Sequence, residues 1–146
     1  MRFPKYGHYT LEMSGNMLEV FATGAWNLAT TEAMVEEMHV MVKEFNHAPW
    51  AALMDGRRWI FSTPDCQQVI SEAIKRNIDF GLKRSAYVLD SGMVKKAQLE
   101  RTHPAIKAEH EQAGYQRRYF SSYFAALSWL QEEGYTPYGK SFSVET

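Results

Sequence analysis

Hydrophobic and polar positions change period along this chain, and the changes mark its elements. In "HYTLEMSGNMLEVFATGAW" (8–26), Tyr9, Leu11 and Met13 alternate with Thr10 and Glu12. An apolar run resumes at Met17 and reaches Thr23. Two strand patterns around Ser14-Gly15-Asn16 predict a hairpin. The next segment shifts to helical spacing, with Ala33, Met34, Met38, Met41, Val42 and Phe45 recurring between glutamates and Lys43. Thr30 or Thr31 is the expected cap, and Pro49 marks the stop. "WAALMD" (50–55) hardly alternates, as a strand covered on both faces reads.

A second helix is announced by "STPDC" (62–66). Thr63 suits the N-cap, Pro64 the first helical position and Asp65 the positive end of the dipole. Its expected buried stripe is Val69, Ile70, Ala73, Ile74 and Ile78. "RSAYVLDSG" (84–92) repeats the plan, a strand followed by a helix from about Met93. Pro104 predicts a kink there and Gly114 the end. "YQRRYFSS" (115–122) reads as the last strand. Ser121 or Ser122 then caps a helix whose Phe124, Leu127 and Leu130 should face inward. The tail from Tyr135 has no pattern and is expected to be loose.

The order is β-β-α-β-α-β-α-β-α. It predicts an α/β protein with a mostly parallel sheet of four to five strands and an antiparallel first strand. The 146 residues suit one domain, with a core at about 8–135 and a tail at 136–146.

Composition narrows the function classes. Hydrophobic residues make up 45 % and charged residues 23 %, as in globular proteins, and the net charge is −1. No global basic field exists to hold nucleic acid or an anionic membrane. The N-terminus lacks a signal-peptide core, and no apolar run approaches the ~20 residues of a membrane span. With Cys66 as its one cysteine, the chain can form no intrachain disulfide. The expectation is a cytoplasmic protein without membrane insertion.

Parallel strands deliver their C-terminal ends, and the helix N-termini that follow, to one edge of the sheet. Ligands of open α/β sheets bind there. The candidate binding residues are therefore Trp26, Asp55, Arg57, Arg58, Ser62, Thr63, Asp90 and Ser91. The arginines would attract an anionic group, the hydroxyls and nearby amides would hold it, and Trp26 would add contact area. Helix capping and Asx turns are the plainer explanation for Thr63, Ser91, Asp55 and Asp90. No phosphate loop, dinucleotide fingerprint or nucleophile elbow is present. His103 and His110 lack a third metal ligand, and Cys66 has no histidine near it in sequence. No metal, cofactor or catalytic residue is expected. Met34, Met38, Met41 and Met54 read first as flexible core filling, and as an alternative they suggest an adaptable wall around an apolar ligand.

Taken together, "VFATGAW", the first amphipathic helix, "WAALMDGRRW", "SAYVLD" and "AGYQRRYFSSYFAALSWL" resemble the SpoIIAA-like domains, relatives of the STAS domain (sulfate transporter and anti-sigma factor antagonist). The resemblance spans about Tyr9 to Tyr135. It implies a non-enzymatic regulatory or ligand- and protein-binding role. In anti-sigma factor antagonists an Asp-Ser pair after the third strand is phosphorylated. Ser62 and Thr63 fall about there, but Phe61 replaces the aspartate and Pro64 the small residue that follows, which argues against a phosphoswitch. The fold is also similar to CRAL-TRIO lipid carriers, which matches the methionine-lined alternative. Expected partners are a protein or a small anionic or apolar ligand, and the open first strand offers a homodimer edge.

Overall fold

A computed structural model describes residues 7–60, 63–94 and 114–137. Its elements in chain order are β1 (His8–Ser14), β2 (Met17–Ala25), α1 (Leu28–Val42), β3 (Trp50–Ile60), α2 (Pro64–Asp79), β4 (Leu82–Val88), β5 (Gln116–Phe120) and α3 (Tyr123–Glu132). Residues 91–94 are also helical. The strands form one sheet in the order β1-β2-β3-β4-β5. β1 is antiparallel to β2 and every other pairing is parallel. This is the α/β architecture read from the element order, with five strands. The Pro104 kink, and His103 and His110, lie outside the described residues.

The hairpin closes through Gly15-Asn16, with Ser14 opposite Met17. Gly15 has φ 59°, a left-handed conformation that glycine adopts without a Cβ penalty. Asn16 does more than turn the chain. Its Nδ2 donates to the Gly134 carbonyl at 3.1 Å, and its Oδ1 accepts from the Thr136 amide at 2.8 Å. These bonds hold the start of the tail, and Tyr135 packs on the core. Tyr135 and Thr136, at the start of the tail, are therefore tied down, while the tail beyond residue 137 lies outside the described residues.

Strand alternation sends the sheet's side chains into two cores. Leu18, Val20, Ala22, Trp50, Met54 and Leu82 meet α1 and α2 on one face. Met17, Ala51, Leu53, Ala86 and Val88 meet Ala126, Trp129 and Leu130 of α3 on the other. With both faces covered, β3 reads as a nearly continuous apolar run. Burying each large side chain of this kind stabilises the fold by about 1.5–3 kcal/mol before entropy is counted.

The helices start where local chemistry allows, with two adjustments. Asn27, not Thr30 or Thr31, caps α1: its Oδ1 accepts from the Thr30 amide at 2.8 Å. Thr31 is buried and its hydroxyl donates to the Asn27 carbonyl. Thr63 is the N-cap of α2 and Pro64 its first residue, as expected, but the Thr63 hydroxyl turns to Asp65 and Cys66 instead of a backbone amide. Ser122 caps α3 by accepting from the Ala125 amide at 3.3 Å.

Two inward assignments shift around their helices. Ala33 is exposed, and α1 buries Thr31, Met34 and Val42 instead. In α3 the buried residues are Ala126, Trp129 and Leu130, while Phe124 is 77 % exposed. Tyr123, Ala126, Leu127 and Leu130 form the i, i+3, i+4, i+7 stripe, and Phe124 stands one position off it.

β3 is the larger departure. It does not end at Asp55 but continues through Gly56, Arg57, Arg58 and Trp59 to Ile60. Phe21 pairs with Asp55 and Thr23 with Arg58, so the β3 side has one extra residue, a β-bulge. β4 pairs with β3 only as far as Asp55 opposite Val88. Beyond that point β3 leans on β2 alone, through Gly24 opposite Trp59 and Ala25 opposite Ile60.

Candidate functional site

Parallel register aligns Phe21, Asp55, Val88 and Phe120 in one row near the C-terminal edge of the sheet. The segments before α1, α2, residues 91–94 and α3 all follow from that edge. The sheet then divides them. α1 and α2 pack together on one face, and α3 lies on the other. An open groove of about 500 Å3 lies on the α3 side, lined by Phe21, Asp55, Arg57, Ser121, Ser122, Tyr123 and Phe124.

The bulge builds the charged wall of this groove. Asp55 and Arg57 sit on either side of Gly56 and bond in two places, Nε to Oδ1 at 3.0 Å and Nη2 to Oδ2 at 2.7 Å. The Arg57 amide adds a third bond to Oδ1 at 3.2 Å. Burial pushes the Asp55 carboxyl up, but the hydrogen bonds and charge of Arg57 outweigh it and hold the group below its ordinary value. The same pairing raises Arg57. Both groups are thus ionised at neutral pH and largely cancel each other's charge.

Gly56 suits the bulge because its neighbours close on it. A Cβ there would lie 3.0 Å from the Trp59 ring and 3.1 Å from a Leu89 methyl. The opposite wall comes from α3. Tyr123 donates its hydroxyl to Glu19 Oε1 at 2.6 Å, fastening the start of the helix to β2. Phe124 is the exposed lip beside it.

Of the seven expected rim residues that the structure describes, only Asp55 and Arg57 line this groove. Arg58 is exposed, opposite Thr23, and makes no ion pair among the described residues. Trp26 is 2 % exposed and belongs to the core. It sits edge-on between Tyr9 and Trp59, at 5.9 and 5.5 Å, and its Nε1 donates to the Thr23 carbonyl at 3.0 Å. Its ring therefore contributes packing under the extended β2–β3 pair instead of contact area. Thr63 stands at the start of α2, on the α1–α2 side of the sheet. Asp90 Oδ1 accepts from the Met93 amide at 3.0 Å, so Asp90 caps the helical residues 91–94, of which Ser91 is the first. Neither Asp90 nor Ser91 lines the groove. Ser62 lies outside the described residues.

Phe21, Ser121, Ser122, Tyr123 and Phe124 are the groove residues that sequence reading did not select. The rim position of "FSSY" was legible from element order, but the inward assignment of Phe124 hid its exposure. No group of His, Cys, Asp and Glu that could hold a metal ion occurs among the described residues. Cys66 is buried in the first turn of α2. His39 and His47 pack on Phe80 at 5.4 and 4.8 Å, at the other end of that helix, about 20 Å away along its axis. The methionines also have packing roles. Met34 and Met54 are buried, and Met38 and Met41 pack against the same cores, so these side chains fill the junction of α1 and the sheet. No helix among the described residues is long and apolar enough to cross a membrane.

No protein-family model matches the chain, and no curated protein matches it. Among solved structures it is similar to an uncharacterised protein of the DUF3478 family from Shewanella loihica PV-4, which has a SpoIIAA-like fold. The two superpose with a TM-score of 0.62 at 16 % sequence identity, over 89 % of this chain and 98 % of that one. At that identity the likeness speaks for architecture, and it agrees with the strand order described above. The chain carries the SpoIIAA-like fold.

Proposed function

We propose that this protein is a non-enzymatic regulatory or ligand-binding domain that engages its partner at the groove between the β3 bulge and the start of α3. The observation that carries the reading is the pairing of a pre-set charged wall with an exposed aromatic lip. Asp55 and Arg57 hold each other in one geometry, and Phe124 faces solvent beside them. Aromatic and arginine side chains dominate the energetics of contact surfaces. Arg57 is balanced by Asp55, and Arg58, next to it in β3, has no ion-pair partner among the described residues. An anionic group, on a small ligand or on a protein partner, is the chemistry that this charge favours.

Catalysis has less support. The thiol of Cys66 is buried, His39 and His47 pack on Phe80 at the far end of α2, and His8 lies in β1 opposite Thr23. A carrier of apolar ligands is also less favoured, because the first-helix methionines pack into the cores where its cavity would be. The same reading puts the protein in the cytoplasm, where Cys66 remains a thiol.

The test compares capture from native lysate by the wild-type chain, an Arg57→Ala/Arg58→Ala variant and Phe124→Ser. Circular dichroism checks that each variant is folded. Partners retained by the wild type should be lost by both variants. Identical capture by all three would refute the groove as the binding site.

A further inference from the structure

The β1 edge of the sheet, open among the described residues, carries a row of peptide groups whose directions follow from the hydrogen bonding. The Asn16 carbonyl accepts from the Ala51 amide at 3.0 Å, so even-numbered peptide groups in this strand turn toward β3. The odd-numbered ones, from Met17 onward, turn toward β1. Met17 lies opposite Ser14 across a two-residue turn, and Glu19, Phe21 and Thr23 lie opposite Glu12, Thr10 and His8. Those four β1 residues exchange bonds with β2. Tyr9, Leu11 and Met13 therefore point their N–H and C=O groups out of the sheet. Among the described residues β1 has β2 as its one neighbour, and their register runs without a bulge. The strand holds no Lys and no Pro, the residues that commonly protect an edge.

We infer that β1 is a dimerisation edge, pairing antiparallel with β1 of a second copy about a twofold axis at Leu11. An extended backbone matches a row of alternating donors and acceptors group for group, and this strand is complementary to itself. Centring on Leu11 sets Leu11 against Leu11 and Tyr9 against Met13 as the hydrogen-bonded pairs, giving about six backbone bonds. Moving the centre to Thr10 or Glu12 gives about four, and the second of these sets Glu12 against its own copy. The half-buried row of Tyr9, Leu11 and Met13, on the α1 side, would meet its own apolar copy. On the other face exposed Thr10 would stand opposite Glu12 of the partner, a hydroxyl beside a carboxylate. The twofold closes the assembly at two subunits, because each copy uses the same edge. The sheet becomes continuous across ten strands, twice the five of one chain.

Thr10 supplies the test, because it is exposed and its in-chain neighbour across the sheet is Phe21. Untagged full-length protein is examined by sedimentation equilibrium up to ~100 µM, a range that detects weak association. The wild type should sediment as a dimer at the upper end. Thr10→Glu places two like-charge pairs across the seam and should weaken the dimer roughly tenfold. Thr10→Lys places two opposite-charge pairs there and should tighten it. A wild type that stays monomeric overturns the inference, including one that instead takes up an extended peptide from another protein. So does a dimer whose dissociation constant neither variant moves, since its contact would lie elsewhere.

Discussion

Replacing Trp26 by alanine distinguishes a core side chain from a contact residue. The indole is 2 % exposed, wedged edge-on between Tyr9 and Trp59, and donates one hydrogen bond to the Thr23 carbonyl. An aromatic ring of this size buries on the order of 200 Å2. At about 25 cal/mol per Å2 that is worth roughly 5 kcal/mol as an upper bound. Two edge-to-face contacts add about 0.5–1.5 kcal/mol each, and the hydrogen bond about 1 kcal/mol. Collapse of Tyr9 and Trp59 into the vacancy recovers part of this. The expected net loss is about 3–5 kcal/mol, in line with large-to-small changes at such positions. Urea unfolding read by circular dichroism measures it. With a slope of about 2 kcal/mol per M, the midpoint should fall by roughly 2 M without a change of slope. Trp26→Phe keeps most of the packing and should lose about 1–2 kcal/mol. A loss below about 1 kcal/mol for Trp26→Ala would refute the reasoning, because it would mean that the ring is not part of a packed interior.

Two further outcomes follow from the groove and the hairpin. Asp55 is held below its ordinary value of 3.8, so its bond with Arg57 stabilises the fold fully above that value and is lost as the pH falls through the lowered one. Arg57 is half exposed, so Asp55→Asn should cost no more than about 1 kcal/mol at neutral pH. That difference, read from denaturant midpoints, should shrink in acid, and a pH-independent difference would contradict the ion-pair account. Asn16→Ala removes both side-chain bonds to the segment after α3 and should cost about 1–2 kcal/mol. Amide exchange at Thr136 should accelerate well beyond that of the α3 core, and unchanged protection there would show that Asn16 is not the anchor.

Much of the architecture was legible because it rests on residues that are neighbours along the chain. Alternation through Tyr9, Leu11 and Met13, the turn at Gly15, and Thr63-Pro64-Asp65 at a helix start are short-range properties. Element order then constrains a parallel sheet, since β-α-β crossovers place successive strands side by side. The edge at which a site should form follows from the same order.

What sequence alone could not decide depends on contacts between distant segments. "GRRWI" carries the marks of a loop, yet it is strand because Thr23, Gly24 and Ala25 of β2 offer it a ladder past the bulge. Trp26 and Phe124 are both aromatic residues beside a helix start, and one is enclosed while the other is open. The difference comes from docking: Tyr9 and Trp59 close over the first, and α3 rests on the sheet through the stripe that omits the second. Chain order brought the rim residues to one edge. Only the sheet, as a wall with two faces, separated Asp55 and Arg57 from Thr63, because a residue's face depends on which helices pack against its strand, and that information is spread over the whole chain.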